Sequence, residues 1–196
     1  MPLCEFPVVR VRASLPLGSP AMLLGFALLA AAAELTTTGC TSQEGAASPV
    51  AIRVVGADGV DAAVAGCKGK VLLMDFWASW CGPCKAEFPH TVEMARKYGG
   101  KGLETMSVSL DDPKDEAKAL AFLRGQGATF QNLLIRTGAS QESIVALNLK
   151  GGSIPQYKIY DRAGKLRQQF FHDPLADKPF TPDDIEKSIQ ELLAEK

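Results

Sequence analysis

The chain is poor in the side chains that most binding and hydrolytic chemistries need. It has only two histidines, His90 and His172, in 196 residues. Both read as surface residues rather than catalysts. Net charge is −1, with 21 basic against 22 acidic residues, so there is no excess of positive charge for a nucleic-acid partner. Five cysteines stand at 4, 40, 67, 81 and 84. Only 81 and 84 form a close pair. A zinc site would need two further ligands, and Cys67, His90 and His172 supply no second close pair, so no metal and no cofactor is expected. No internal repeat is found. Hydrophobic content is 46% and charged content 22%, ordinary for a globular chain.

What the chain does have is one stretch around which the rest is organised. Val71 to Ala78 is apolar apart from Asp75, which fits a strand buried on both faces. Trp80 and Cys81-Gly82-Pro83-Cys84 follow. Helical spacing then begins, with Phe88, Val92, Ala95 and Tyr98 on one side and Gly99-Gly100 as the stop. Cys-x-x-Cys at a strand-to-helix junction reads as a redox dithiol. Only a thiolate attacks a disulfide, and a free cysteine, with a pKa of about 8.5, is mostly inert at neutral pH. The start of a helix offers unpaired N–H groups and a partial positive charge. Cys81 sits there and is the candidate nucleophile. Cys84, one turn in, is placed to resolve a mixed disulfide. Pro83 enters the first turn at little cost and stiffens the link. A structural disulfide with so small a ring would contribute little. Asp75 interrupts the apolar strand; burial would raise its pKa towards neutrality, where it could take the proton of Cys84. Glu87 is expected to face the same site from the first helical turns. Pro89 lies inside the helix, where it is expected to introduce a kink. Trp77 is expected partly in the core and Trp80 over the dithiol.

Elsewhere, Val50–Val55 reads as a strand closed by the turn cluster Gly56-Ala57-Asp58-Gly59, 60–66 as a helical turn or loop, and Glu104–Leu110 as a strand parallel to the first buried one. A helix from Asp111-Asp112-Pro113 to about Gln126, a strand at 129–135 and a helix at 139–147 follow. Gln156–Tyr160 and Leu166–Phe171 flank the turn Asp161-Arg162-Ala163-Gly164. Thr181-Pro182-Asp183-Asp184 is a capped helix start. Cys67 reads as a buried small hydrophobe, with a bridge to Cys40 as the alternative.

At the N-terminus, Arg10 and Arg12 precede an apolar run from Leu15 to Ala33, the pattern of an export signal and just long enough to span a bilayer. Leu35-Thr36-Thr37-Thr38-Gly39-Cys40 resembles a bacterial lipoprotein box, which implies acylation of Cys40, although Thr37 stands where the box usually has Leu. An uncleaved anchor and an ordinary secretory signal are the alternatives. The expected division is 1–40 address or anchor, 41–49 flexible Ser/Gly/Ala-rich tether, and 50–196 a single folded domain. In each of these cases the folded part faces an oxidising, extracytoplasmic compartment.

Asp75-Phe76-Trp77-Ala78-Ser79-Trp80-Cys81-Gly82-Pro83-Cys84-Lys85 resembles the thioredoxin active-site segment. Lys85-Ala86-Glu87-Phe88-Pro89-His90 is similar to the TlpA/ResA branch of membrane-tethered, extracytoplasmic thioredoxins, and Gly69-Lys70, Asp111-Asp112 and Ile154-Pro155 with Asp161 and Gly164 also fit it. The resemblance covers about 50–195. It implies an α/β thioredoxin-like fold, a mixed sheet flanked by helices, with an N-terminal strand extension and an insertion near 113–147. It implies that Cys81 and Cys84 are the dithiol, that Pro155 is a cis-proline beside it, that Ile154 offers backbone groups to a bound peptide, that Asp75 is the buried proton acceptor, and that Glu87 is the acid near the dithiol. Trp80, Gly82, Pro83, Ile154 and Pro155 form the candidate substrate contacts. Thioredoxins carry a lysine near the buried acid; here Ser107 stands at that position. The segment 149–153 before Pro155 is unusually polar and glycine-rich. The implied function is thiol–disulfide exchange, as a monomer, with protein disulfides as substrates and an upstream membrane thiol donor, in cytochrome c maturation among other routes. Gly-Pro between the cysteines resembles thioredoxin, at about −270 mV, and so a reductant, against about −120 mV for a strong oxidant. A peptide-binding module with an incidental dithiol and a thiol peroxidase are the alternatives; the Pro-x-x-x-Thr-x-x-Cys loop of the latter is absent.

Overall fold

The computed structural model describes residues 49–171 and 178–195. The proposed address at 1–40, Cys40, most of the tether and His172 lie outside the described residues. Among the described residues no helix is long and apolar enough to cross a membrane.

The elements run β1 (Arg53–Val55), α1 (Ala57–Gly66), β2 (Val71–Trp77), α2 (Gly82–Tyr98), β3 (Leu103–Ser109), α3 (Glu116–Gln126), β4 (Gln131–Ile135), α4 (Gln141–Ala146), β5 (Gln156–Tyr160), β6 (Leu166–Phe171) and α5 (Pro182–Ala194). The six strands form one sheet in the order β1-β4-β3-β2-β5-β6. β2 is central, parallel to β3 and antiparallel to β5. Every residue of β2 is buried, as its unbroken apolar run predicts. Leu72, Met74 and Phe76 point to one layer of core, Val71, Leu73 and Trp77 to the other. Asp75, by alternation, shares the second face, the one covered by α2 and α5.

One local reading changes in the structure. The turn cluster Gly56-Ala57-Asp58-Gly59 is the start of a ten-residue helix rather than a turn before one. Asp58 lies in its first turn, where an acid suits the helix dipole. Gly59 is needed for contact rather than for turning: a Cβ there would lie 2.8 Å from that of Val55. As expected, α2 begins just after Cys81, at Gly82, and runs with Pro89 inside it to Tyr98. The insertion near 113–147 is built into the sheet. It contributes β4, which pairs in parallel with both β3 and β1 and so lies inside the sheet. Leu133, Leu134 and Ile135 are accordingly buried on both faces. The start of α5 forms as expected, with Thr181 and Asp184 capping each other reciprocally.

The glycine-rich segment before Pro155 is held by polar side chains. Lys158 Nζ donates to the Leu147 carbonyl at 2.6 Å. Gln156 Nε2 donates to the carbonyls of Lys150 and Ser153 at 2.7 and 2.5 Å. Gln169 Nε2 donates to the Asn148 carbonyl at 3.0 Å. Burial pushes the Lys158 pKa down to about 8. These side chains satisfy carbonyls that a loop with positive φ at Asn148, Gly151 and Gly152 would otherwise leave bare.

Candidate active site: a dithiol at the start of a helix

Cys81 is the residue at the N-terminal cap of α2, extended at φ −85° and ψ 104°, and its sulfur accepts the N–H of Cys84 at 3.2 Å. The two sulfurs are joined as a disulfide, with Cα atoms 5.3 Å apart. Serine, threonine and aspartate usually take this cap with an oxygen; here a sulfur does. The arrangement favours an anion on Cys81 once the disulfide is opened, because an N–H already points at it and the helix dipole adds to the effect. Cys81 is 6% exposed and Cys84 1%. Both back onto Trp77 and Phe88, whose rings are 5.1 Å apart; Phe122 stands 4.9 and 5.2 Å from them.

The Ile154–Pro155 peptide bond is cis. The Ile154 carbonyl oxygen lies 3.8 Å from Cys81 Sγ, although the two residues are 73 positions apart. Trp77 is fully buried, whereas Trp80 is 60% exposed. Gly82 and Pro83 are exposed beside it.

Asp75 is 1% exposed. Thr91 Oγ1 donates to its carboxylate at 2.6 Å. Its pKa is pushed up to about 7, chiefly because burial penalises the charge; Glu87 adds to the rise and Thr91 opposes it. Glu87 is half-buried and accepts from the Tyr157 hydroxyl at 3.2 Å. Ser107, opposite Asp75 on β3, donates to Asn132 at 2.8 Å. The structure thus brings Cys81, Cys84, Ile154 and Pro155 to the start of α2, and Asp75 and Glu87 to its flank. Cys67 is buried in the core layer on the other side of the sheet. His90 is exposed on α2. Among the described residues no three His, Cys, Asp or Glu side chains converge as metal ligands.

One residue of the site has no role assigned from the sequence. Asp111, fully buried just beyond β3, accepts the Ser79 N–H with both oxygens, at 3.1 and 2.9 Å. It also accepts the hydroxyls of Ser79 and Ser109 at 2.6 Å each. The loop that delivers Cys81 is therefore pinned two residues upstream of it. The sequence signal was an acid closing a buried strand next to a serine, which is visible but does not name its partner. Asp111→Ala would leave the buried Ser109 hydroxyl and the half-buried N–H and hydroxyl of Ser79 without this acceptor. A loss of about 1–3 kcal/mol in denaturant unfolding is expected, chiefly from the buried donor; a loss near zero would show that the carboxylate does not hold the loop.

A sheet of this order, with Cys-x-x-Cys opening a helix beside a cis-proline, defines a thioredoxin-like dithiol protein. Comparison with known proteins agrees. Residues 46–169 match the AhpC/TSA family, and the chain belongs to it, among the thioredoxin-like thiol:disulfide oxidoreductases. It is 32% identical to the thiol:disulfide interchange protein HelX of Rhodobacter capsulatus over 64% of this chain and 62% of that one. It is 26% identical to the thiol-disulfide oxidoreductase ResA of Geobacillus kaustophilus over 64% of each. The chain thus spans a little under two thirds of these two relatives. The thiol:disulfide interchange protein DsbE homolog of Paracoccus denitrificans is 30% identical over 90% of this chain and 98% of its own. Among solved structures, a Chlorobium tepidum protein assigned as thiol:disulfide interchange protein DsbE superposes with a TM-score of 0.54 at 32% identity, over 67% of this chain and 85% of that one.

Proposed function

We propose that the protein is an extracytoplasmic thiol–disulfide oxidoreductase that reduces disulfides in exported proteins. The observation that carries this is the seat of Cys81: a helix cap, an N–H directed at its sulfur, and Cys84 bonded behind it. In the reduced protein the Cys81 thiolate attacks one sulfur of a substrate disulfide and the other substrate sulfur leaves as a thiolate. Asp75 takes the proton of Cys84. The Cys84 thiolate then attacks Cys81 Sγ, the mixed bond breaks, and the substrate leaves with both sulfurs reduced. The protein is left with the Cys81–Cys84 disulfide, and an upstream membrane thiol donor returns two electrons and two protons. The cis Ile154–Pro155 bond presents backbone beside Cys81, and the exposed Trp80, Gly82 and Pro83 are the remaining surface against which a substrate strand would lie.

The N-terminal segment tethers the domain to the outer face of a bacterial membrane, through a lipid on Cys40 in the preferred reading, with the domain acting as a monomer. Reduction of exported apocytochrome c is the route that the resemblance to the TlpA/ResA branch implies. Turnover of insulin disulfides by the full chain tests the enzyme: reduction with a working electron donor is expected, and no turnover excludes it. Equilibration with glutathione tests direction. A potential near that of thioredoxin, about −270 mV, is expected; one near about −120 mV overturns the reductant reading.

A further inference from the structure

The exchange proposed above delivers a proton to Asp75, yet Asp75 and Cys84 are each 1% exposed. That proton needs a way out. Cys84, Glu87 and Thr91 lie on one face of α2, at intervals of three and four residues. Tyr157 lies directly opposite Asp75 in the β2–β5 pairing, on the same face of the sheet. Thr91 and Tyr157 are 0% and 2% exposed, and neither reacts with a thiol. Resting on the exchange reading, we infer that Thr91 and Tyr157 are positioning residues of a proton relay that connects Asp75 to the half-buried Glu87 and so to solvent.

The contacts run in sequence. Thr91 Oγ1 is 2.6 Å from Asp75 Oδ2. The Tyr157 hydroxyl adjoins Thr91 without a hydrogen bond between them, because the Thr91 hydroxyl is directed at Asp75, so this hop needs that hydroxyl to turn towards Tyr157. That hydroxyl is 3.2 Å from Glu87 Oε2. The groups facing Asp75 are Thr91 and Glu87 from α2, Tyr157 from β5, and Ser107 from β3, whose hydroxyl is committed to Asn132. The transfer balances without any net change at the hydroxyls. Protonated Asp75 gives its proton to Thr91 Oγ1, the Thr91 proton moves to Tyr157 Oη, and the Tyr157 proton moves to the Glu87 carboxylate, which releases it to water. Tyr157 gains one proton as it loses another and never becomes a phenolate; burial and the two carboxylates hold its acidity far below that of a free tyrosine. Re-reduction of the dithiol runs the chain backwards.

The test is a photoacid pH jump on the oxidised full-length protein, with time-resolved infrared detection of the protonated Asp75 carboxyl band, assigned by its loss in Asp75→Asn. In the wild type the band should rise with the pH pulse. In Tyr157→Phe and Thr91→Val it should rise at least about tenfold more slowly, the lower part of the range over which positioned proton transfer acts. Thr91→Ser should restore the wild-type rate. Equal rates in all four proteins overturn the relay, and so does a fall in thermal stability of the variants with no change in rate. This measurement does not depend on exchange activity. The exchange reading is tested separately on the reduced wild type with 5,5′-dithiobis(2-nitrobenzoate): release of one thionitrobenzoate per attack on Cys81 without a second from Cys84 would sink that reading and the relay's purpose with it.

Discussion

Cys81→Ser should abolish disulfide exchange, with a loss of at least about a thousandfold in insulin reduction, because a serine hydroxyl is not ionised by a helix cap at neutral pH and does not displace a thiolate. Cys84→Ser should behave differently. Its Cys81 still attacks, but nothing resolves the product, so the protein should accumulate as a mixed disulfide with its substrate. Mass spectrometry of the trapped species, under non-reducing conditions, would read this directly and would identify the physiological partner. If Cys84→Ser traps nothing while Cys81→Ser does, the order of attack is the reverse of the one proposed. The burial of Cys84 at 1% beneath Cys81 at 6% makes that reversal unfavourable, since the sulfur nearer the surface and the Ile154 carbonyl is Cys81.

Asp75→Asn should make the protein more stable and less active at once. The Asp75 pKa is about 7 in the folded protein against an ordinary 3.8. Between those values the folded state holds a proton that the unfolded state has lost, so stability falls as pH rises through this range, by about 1.4 kcal/mol per pH unit. Above about pH 7 the full penalty, roughly 4 kcal/mol, is present; below about pH 4 it vanishes. Asparagine keeps the shape and can still accept from Thr91, but carries no charge to bury. Denaturant unfolding of the oxidised protein should therefore show Asp75→Asn more stable than wild type at pH 8 and indistinguishable near pH 4. The same variant should resolve mixed disulfides about a hundredfold more slowly, the usual scale of a lost general base. A stability difference that does not change with pH would show that Asp75 is not a buried, neutral acid.

The two effects share one cause. A carboxyl is held out of water where it costs stability, and its pKa is thereby brought close to the pH at which it would have to accept and release a proton. Asp75→Asn gives up the proton transfer and recovers the stability. Asp111 shows the opposite use of a buried carboxylate. It accepts four hydrogen bonds from the Ser79 and Ser109 groups around it and holds the loop that presents Cys81.

Much of the candidate site was legible because its chemistry is local. The apolar run of β2, the cap at Cys81, Pro83 in the first turn and the helical spacing from Phe88 onward are patterns within about thirty residues, and each follows from short-range sterics and hydrogen bonding. The thioredoxin-like fold follows from the same stretch by resemblance. The roles of Asp111, Thr91 and Tyr157 were not legible. Asp111 meets Ser79 across 32 positions and Tyr157 meets Glu87 across 70. Nothing in a serine, a threonine or a tyrosine marks it as a partner until strands are set side by side. The same holds for β4: a short apolar run within an apparent insertion could pair anywhere, and its place between β1 and β3 depends on which edges are open when the sheet closes. Sequence alone determined that a sulfur would sit at the start of a helix, because capping and helix geometry act over a few residues. Tertiary structure alone decided which buried oxygens surround it, because strand register, which acts over the whole chain, sets those distances.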